Sequence, residues 1–268
     1  MPELTDLPEL DPVVARDWIA RWDRQQEVYL PDREDRFTAL IDAVEAGTGR
    51  PDPLVIDLGC GPGSLSARLL RRLPAARVVA VDADPVTLSL GRAAYADVPG
   101  LAFLDLDLRS SDWPSRLATE VGRQADAVVS TTALHWLSAA ELRRLYAAMA
   151  GLLRPGGLFL DGDHLRLSAE ENPVLARLER AMEEREERRR FPDGHAGRAE
   201  DWREWWQAVA ADPSLAEASS AREQRTVHHH GNEGTLLGAH DGALRAAGFA
   251  EVATIWQRGG NRILAAVR

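Results

Sequence analysis

The sequence predicts an α/β protein: a doubly wound, mostly parallel seven-stranded sheet, with helices ahead of it and a helical cap inserted late in the chain. Three stretches carry that expectation. Leu54 to Leu58 is a short apolar run, Gly59, Gly61 and Gly63 follow at once, and Leu65, Leu69, Leu70 and Leu73 then recur at helical spacing. Arg77 to Asp82 is a second apolar run that ends in an acid. Near the other end, Phe249 to Trp256 and Asn261 to Val267 flank Arg258, Gly259 and Gly260, the pattern of a hairpin. Strands alternating with helices belong to a parallel sheet, and the hairpin closes it with antiparallel strands.

The elements follow in order. Pro12 to Ala46 reads as two helices, the first carrying Trp18, Ile19 and Trp22 and the second Phe37, Leu40, Ile41 and Val44, with Leu30, Pro31 and Asp32 as the break. After the first strand, glycine turn and helix comes the second strand. Asp84 and Pro85 then start a helix. Leu101 to Leu106 is the third strand and Ala125 to Ser130 the fourth. Leu142 to Leu153 is an amphipathic helix, ended by Arg154, Pro155, Gly156 and Gly157 before a fifth strand from Leu158 to Asp161. Leu165 to about Glu233 has no sheet pattern. It holds a mixed-charge helix over Glu179 to Arg190, and Trp202, Trp205 and Trp206 spaced for one helical face. The expected division is a lid over 1–50, a cofactor-binding core over 51–163, a helical cap over 164–233 and a closing helix and hairpin over 234–268.

Composition narrows the function. With 268 residues, 45% hydrophobic and 28% charged, the chain has ample material for a full core. All 32 basic side chains are arginine against 42 acids, a net charge of −10, which argues against nucleic acid as partner. The lysine-free, alanine-rich composition is that of a GC-rich bacterial coding sequence. No apolar run is long enough for a membrane span, so no membrane partner is expected. Met1 to Asp6 lacks a signal-peptide pattern and Cys60 is the sole cysteine, so the expected location is the cytoplasm. Oligomeric state is not legible.

The glycine turn sets the chemistry. Glycines admit positive φ and bring bare backbone to a ligand, at a helix start with unpaired N–H groups. The spacing is G-x-G-x-G, not the G-x-G-x-x-G of dinucleotide binders, and no Gly-Lys pair follows to cradle a phosphate. Asp57 stands just before the turn, where it would repel a pyrophosphate and suit an ammonium group. Asp82, about 20 residues beyond the turn, is placed to accept from ribose hydroxyls. Ammonium at one end and ribose at the other describe S-adenosylmethionine.

Asp57-Leu58-Gly59-Cys60-Gly61-Pro62-Gly63 with Val79-Ala80-Val81-Asp82 resembles the cofactor site of class I S-adenosylmethionine-dependent methyltransferases, in particular those acting on small molecules. The Leu-Arg-Pro-Gly-Gly run ending at Gly157 and the final hairpin resemble the same family. The resemblance implies S-adenosylmethionine as cofactor, held by Asp57, Gly59, Cys60, Gly61, Asp82 and Ala83. It implies adenine contacts from Asp107 and Leu108, with Asp105 as competitor. It implies contacts to the methionine end from Tyr29 and Arg33, with Arg36 as competitor. Ser130 and Thr131, at the end of the fourth strand, fall at the ligand edge of such a sheet.

His135 titrates near neutral pH and is the candidate base, Trp136 a candidate wall of the acceptor pocket. His228, His229 and His230 show no spaced metal-ligand set, so no metal is expected, and His230 is taken as a polar acceptor contact. The expected reaction is in-line methyl displacement to a small organic acceptor, first of all an oxygen. The rival readings are a cofactor-binding protein of this fold without methyl transfer, and a nicotinamide oxidoreductase, against which the glycine spacing and Asp57 both count.

Overall fold

The computed structural model describes residues 10–30, 32–192, 200–225 and 233–268. Two helices lead, α1 (Pro12–Tyr29) and α2 (Arg33–Thr48). Asp11 caps α1 by accepting from the backbone of Val13 and Val14, with Pro12 in the first turn where no N–H is needed. Strand and helix then alternate: β1 (Leu54–Leu58), α3 (Ser64–Arg72), β2 (Arg77–Asp82), α4 (Pro85–Ala94), β3 (Leu101–Asp105), α5 (Trp113–Val121), β4 (Ala125–Thr131), α6 (Ala139–Leu152) and β5 (Leu153–His164). Three helices follow, α7 (Pro173–Arg190), α8 (Trp202–Ala211) and α9 (Ala216–Glu223), before α10 (Leu237–Ala246), β6 (Glu251–Arg258) and β7 (Asn261–Val267).

Among the described residues the strands form one seven-stranded sheet in the order β3-β2-β1-β4-β5-β7-β6. β1 to β5 pair in parallel, and β7 pairs antiparallel with both β5 and β6. The order reverses between β1 and β4, which places the ligand crevice at the C-terminal ends of those two strands. β1 is buried along its whole length, as a central parallel strand covered on both faces must be. On one face α5, α6 and α10 bury Leu117, Leu145, Tyr146 and Leu244 against Ile56, Val81 and Phe159. On the other, Phe37 and Leu40 of α2 and Leu65 and Leu69 of α3 pack on Val55, Val129 and Leu160.

α1 does not lie on the sheet. Its Trp18 and Ile19 join Val86 and Leu90 of α4 and Trp205 and Val209 of α8 in a separate cluster. Trp205 is fully buried, with Trp18 and Trp22 meeting it edge to face at 5.6 and 5.0 Å. Trp205 of α8 is therefore the core residue that joins the first helix to the late helices.

Two expectations need correction. α6 stops at Leu152, and Arg154 to Gly157 belong to β5, whose pairing with β4 shifts register between Ala125 and Ala127. β5 also runs on past Asp161 to His164, which carries two further side chains to the ligand edge of the sheet. The mixed-charge run lies in the longer α7, where Ala176 is the one fully buried residue, as expected of a solvated helix. No helix among the described residues is long and apolar enough to cross a membrane.

Candidate functional site

The turn after β1 is built by conformation. Gly59, Gly61 and Gly63 have φ of +70°, +55° and +84°. The N–H groups of Gly59 and Cys60 both donate to the carbonyl of Val81, at 2.8 and 3.0 Å, which ties the turn to the end of β2. A side chain on Gly59 would meet the Cβ of Ala133 at 2.3 Å, so that glycine is needed for packing. At Gly61 an added Cβ would meet only Trp22, at 3.7 Å, and the residue otherwise faces open space. Gly61 is thus where bare backbone borders a cavity.

Asp82 completes the turn. Its Oδ2 accepts from Gly61 N at 2.7 Å, and its Oδ1 from Ala83 N and Asp84 N at 2.7 and 2.9 Å. Burial raises its pKa to about 6, against the pull of these three amides. A carboxylate has about four acceptor positions, so Oδ2, with its single bond, keeps lone-pair capacity.

Two cavities flank the turn. One, of about 220 Å³, is lined by Asp82, Ala83, Asp107, Leu108, Trp206 and Arg222 among others. The other, of about 430 Å³, is lined by Arg33, Cys60, Thr131, His135, Asp163 and His164 among others. Trp22, Gly59, Gly61, Thr132, Trp136 and Trp202 border both. The structure therefore brings Gly59, Cys60, Gly61, Asp82, Ala83, Asp107, Leu108, Thr131, Arg33, His135 and Trp136 to one continuous region.

Asp57 and Ser130 fall outside it. Asp57 is fully buried beneath the turn, lines neither cavity, and takes a hydrogen bond from Ser66 Oγ at 2.6 Å. Its Oδ1 has no partner among the described residues, and burial raises its pKa to about 7. The direct contact with an ammonium group expected from the sequence is thus corrected: Asp57 braces the turn from behind. Ser130 is likewise buried, and its hydroxyl donates to the carbonyl of Leu58 at 2.8 Å. Tyr29 ends α1, and its side chain lies outside the described set, as does the whole of His230.

The competing pairs separate cleanly. Asp105 is gripped by Arg225 through two bonds of 2.6 Å, whereas Asp107 lines the smaller cavity. Burial opposes ionisation of Asp107, but the Arg109 side chain and N–H outweigh it and hold the carboxyl below its ordinary range. Arg33 lines the larger cavity and pairs with Asp23 at 2.9 Å. Arg36 lies fully buried behind it, bonded to Asn261 Oδ1 at 2.8 Å and to Thr131 Oγ1 at 2.9 Å. Burial lowers its pKa to about 10, against the attraction of Asp163 and Asp161.

His135 sits in a short 3₁₀ turn, Leu134–Trp136, just past β4. Its Nδ1 is 2.8 Å from Asp163 Oδ2. Asp163 Oδ1 accepts from His164 N at 2.7 Å. Burial works against the Asp163 charge, but His135 and Arg36 outweigh it and lower the carboxyl to about 2. An ionised carboxylate only accepts, so Nδ1 carries the proton and Nε2 is the basic nitrogen of neutral His135. Burial alone would lower the His135 pKa; the charge and hydrogen bond of Asp163 win, and the ring titrates above its ordinary value. His164, with less help from Asp163, is lowered by burial.

Below lies a neutral floor. His240 gives its Nε2 proton to the carbonyl of Gly234 at 2.9 Å, so its Nδ1 accepts from Tyr146 Oη at 2.6 Å. Burial, with Asp163 nearby, pushes Asp161 well above the ordinary carboxylate range. Asp163 and His164 were not singled out from the sequence. The available signal was an acid at the C-terminal end of a parallel strand, one strand beyond the reversal of sheet order.

Residues 55–157 match a family model described as a methyltransferase domain. An uncharacterized methyltransferase of Mycobacterium bovis is 37% identical over 122 residues, covering 45% of this chain and 54% of its own length. A trans-aconitate 2-methyltransferase of Azoarcus sp. is 32% identical over 137 residues, covering 51% and 48%. The chain thus spans about half the length of these curated relatives. Among solved structures, an O-methyltransferase family protein from Burkholderia thailandensis superposes with a TM-score of 0.53 at 20% identity, covering 96% of this chain and 71% of that one. That similarity is one of fold.

Proposed function

We propose that the chain is a class I S-adenosylmethionine-dependent methyltransferase, the reading that the methyltransferase-domain match over residues 55–157 supports, and that it methylates a small organic acceptor, at oxygen, with His135 as the base. One observation carries the reading. The two cavities meet at the glycine turn, with a ribose-type carboxylate, Asp82, on one side and the His135–Asp163 pair on the other.

The residues fit S-adenosylmethionine. Gly61 leaves room that a Cβ would take, and Asp82 Oδ2 keeps acceptor capacity beside it. Asp107 and Leu108, which line the smaller cavity, would hold the adenine, and Arg33, which lines the larger, the methionine end. When bound, the cofactor supplies an electrophilic methyl group on sulfonium. His135 Nε2 takes the acceptor's hydroxyl proton, and Asp163 fixes the ring and stabilises the imidazolium. Trp22, Phe37, Trp136 and Trp202 give the larger cavity an aromatic lining suited to a compact, partly apolar molecule. Holding the reactants in line with water excluded supplies most of the rate.

α1 then acts as a lid and α8 and α9 as a cap over this region, while α2, the rest of the expected lid, packs on the sheet. The cap is pinned at the nucleoside side. Arg225 donates to Ala83 O and grips Asp105, while Arg222 bonds Asp84 Oδ2 at 2.6 Å and lies over Trp206 at 3.8 Å. Arg225→Ala is expected to weaken S-adenosylhomocysteine binding about 5- to 20-fold, the range of a lost charge-assisted pair, with the melting temperature little changed. Calorimetry and a thermal melt on the same variant check this.

The test of function is a labelled-methyl screen of small hydroxylated and carboxylated metabolites. The carboxylated set is included because the Azoarcus relative is named for trans-aconitate. Label transferred to such a compound, and not to RNA or DNA, is the expected result. Transfer to nucleic acid alone would overturn the proposal.

A further inference from the structure

Thr132 is the only residue other than glycine among the described residues with a positive φ, +51°. A β-branched side chain in that region is a genuine outlier, and such strain collects at functional sites. Its position is specific. It is the first residue after β4, its N–H donates to the carbonyl of Gly162 at 3.0 Å, and that bond anchors it to β5. It is one of the six residues that border both cavities, and the only one of them with a hydroxyl. Neighbouring Thr131 spends its oxygen on Arg36. Thr132 Oγ1, in contrast, makes no hydrogen bond among the described residues, and the residue is half-buried.

If the nucleoside occupies the smaller cavity and the acceptor the larger, their boundary is where the methyl group passes between them. We propose that the strained backbone of Thr132 holds its hydroxyl oxygen at that boundary, where it contacts the polarised methyl hydrogens of the sulfonium and aims the methyl into the acceptor cavity. This rests on the cofactor assignment above. A sulfonium carries positive charge into its C–H bonds, and an oxygen with spare lone pairs is the group suited to meet them. The strain is explained by the same need: an unstrained residue after β4 would carry its side chain elsewhere.

The test needs no acceptor. Thr132→Val keeps the branched shape and removes the oxygen; Thr132→Ser keeps the oxygen; Thr132→Gly removes both oxygen and strain. Full-length wild type and variants are titrated calorimetrically with S-adenosylmethionine and, separately, with S-adenosylhomocysteine, which lacks the methyl. Thr132→Val is expected to weaken S-adenosylmethionine by about three- to tenfold, the scale of one or two weak C–H···O contacts, and to leave S-adenosylhomocysteine unchanged. Thr132→Ser should bind both as wild type does. Thr132→Gly should raise the melting temperature by about 2–4 °C as strain is released. Equal loss for both ligands in Thr132→Val, or no loss for either, would overturn the proposal, as would a lower melting temperature in Thr132→Gly. Wild-type protein that binds neither ligand would instead sink the cofactor assignment, and this inference with it.

Discussion

Gly61→Val should abolish measurable S-adenosylhomocysteine binding while leaving the fold intact. The Cβ added at this position meets only Trp22, at 3.7 Å, so the protein itself can accept it. The space it fills is the space both cavities share. A branched side chain at φ +55° also costs about 1–2 kcal/mol of backbone strain, a tolerable loss for a domain of this size. The ligand suffers more: each 1.4 kcal/mol of steric cost is about tenfold in affinity, and a loss of about 100-fold or more is expected. Asp82→Ala reaches the same end by a different route. It removes the ribose acceptor and orphans three backbone N–H groups, at Gly61, Ala83 and Asp84. Affinity should fall about 10- to 100-fold, as for loss of a charged hydrogen-bond partner, and the melting temperature should fall as well. Asp82 also gives the binding a pH signature. With a pKa raised to about 6, it protonates as pH falls through that value and loses the charge that makes it a strong acceptor. Affinity should therefore weaken below pH 6, and titrations at several pH values check the sign.

His135→Ala should slow methyl transfer by about 10²- to 10⁴-fold, the usual contribution of a positioned base, with cofactor affinity unchanged. The pH profile distinguishes a base from a structural histidine. Only neutral His135 can accept a proton, and Asp163 holds its pKa above the ordinary value. The rate should therefore rise with pH through a midpoint above about 6.5. Asp163→Asn removes the charge that raises this pKa and permits the wrong tautomer. It should move the midpoint to lower pH and lower the plateau by at least about tenfold. A plateau that falls with the midpoint unmoved would assign Asp163 a packing role.

The fold was legible because its signals are local. Gly59, Gly61 and Gly63 between an apolar run and a helical leucine stripe leave few alternatives, and the final glycine-centred hairpin is as plain. Asp82, Asp107 and Leu108 could be placed because each stands at the end of a strand, and strand ends in a parallel sheet converge on one edge. Burial was not legible. Nothing in the local sequence separates Asp57, sealed against Ser66, from Asp82, which borders a cavity. Asp163 was hidden because β5 runs to His164, beyond the stretch its apolar residues mark out. Arg222 and Arg225 stand in a mixed-charge helix end that looks solvated, and their partners Asp84 and Asp105 lie more than a hundred residues away. Thr132 betrays nothing in one dimension, since its distinction is a dihedral angle.

The central claim is that the glycine bend and Asp82 bind the nucleoside of S-adenosylmethionine. Calorimetric titration of the wild-type chain with S-adenosylhomocysteine, and in parallel with NAD, addresses it most directly. The account predicts saturable binding of one S-adenosylhomocysteine per chain, sharply reduced in Asp82→Ala, and no heat from NAD. Binding of NAD instead, or S-adenosylhomocysteine binding that Asp82→Ala leaves untouched, would contradict it.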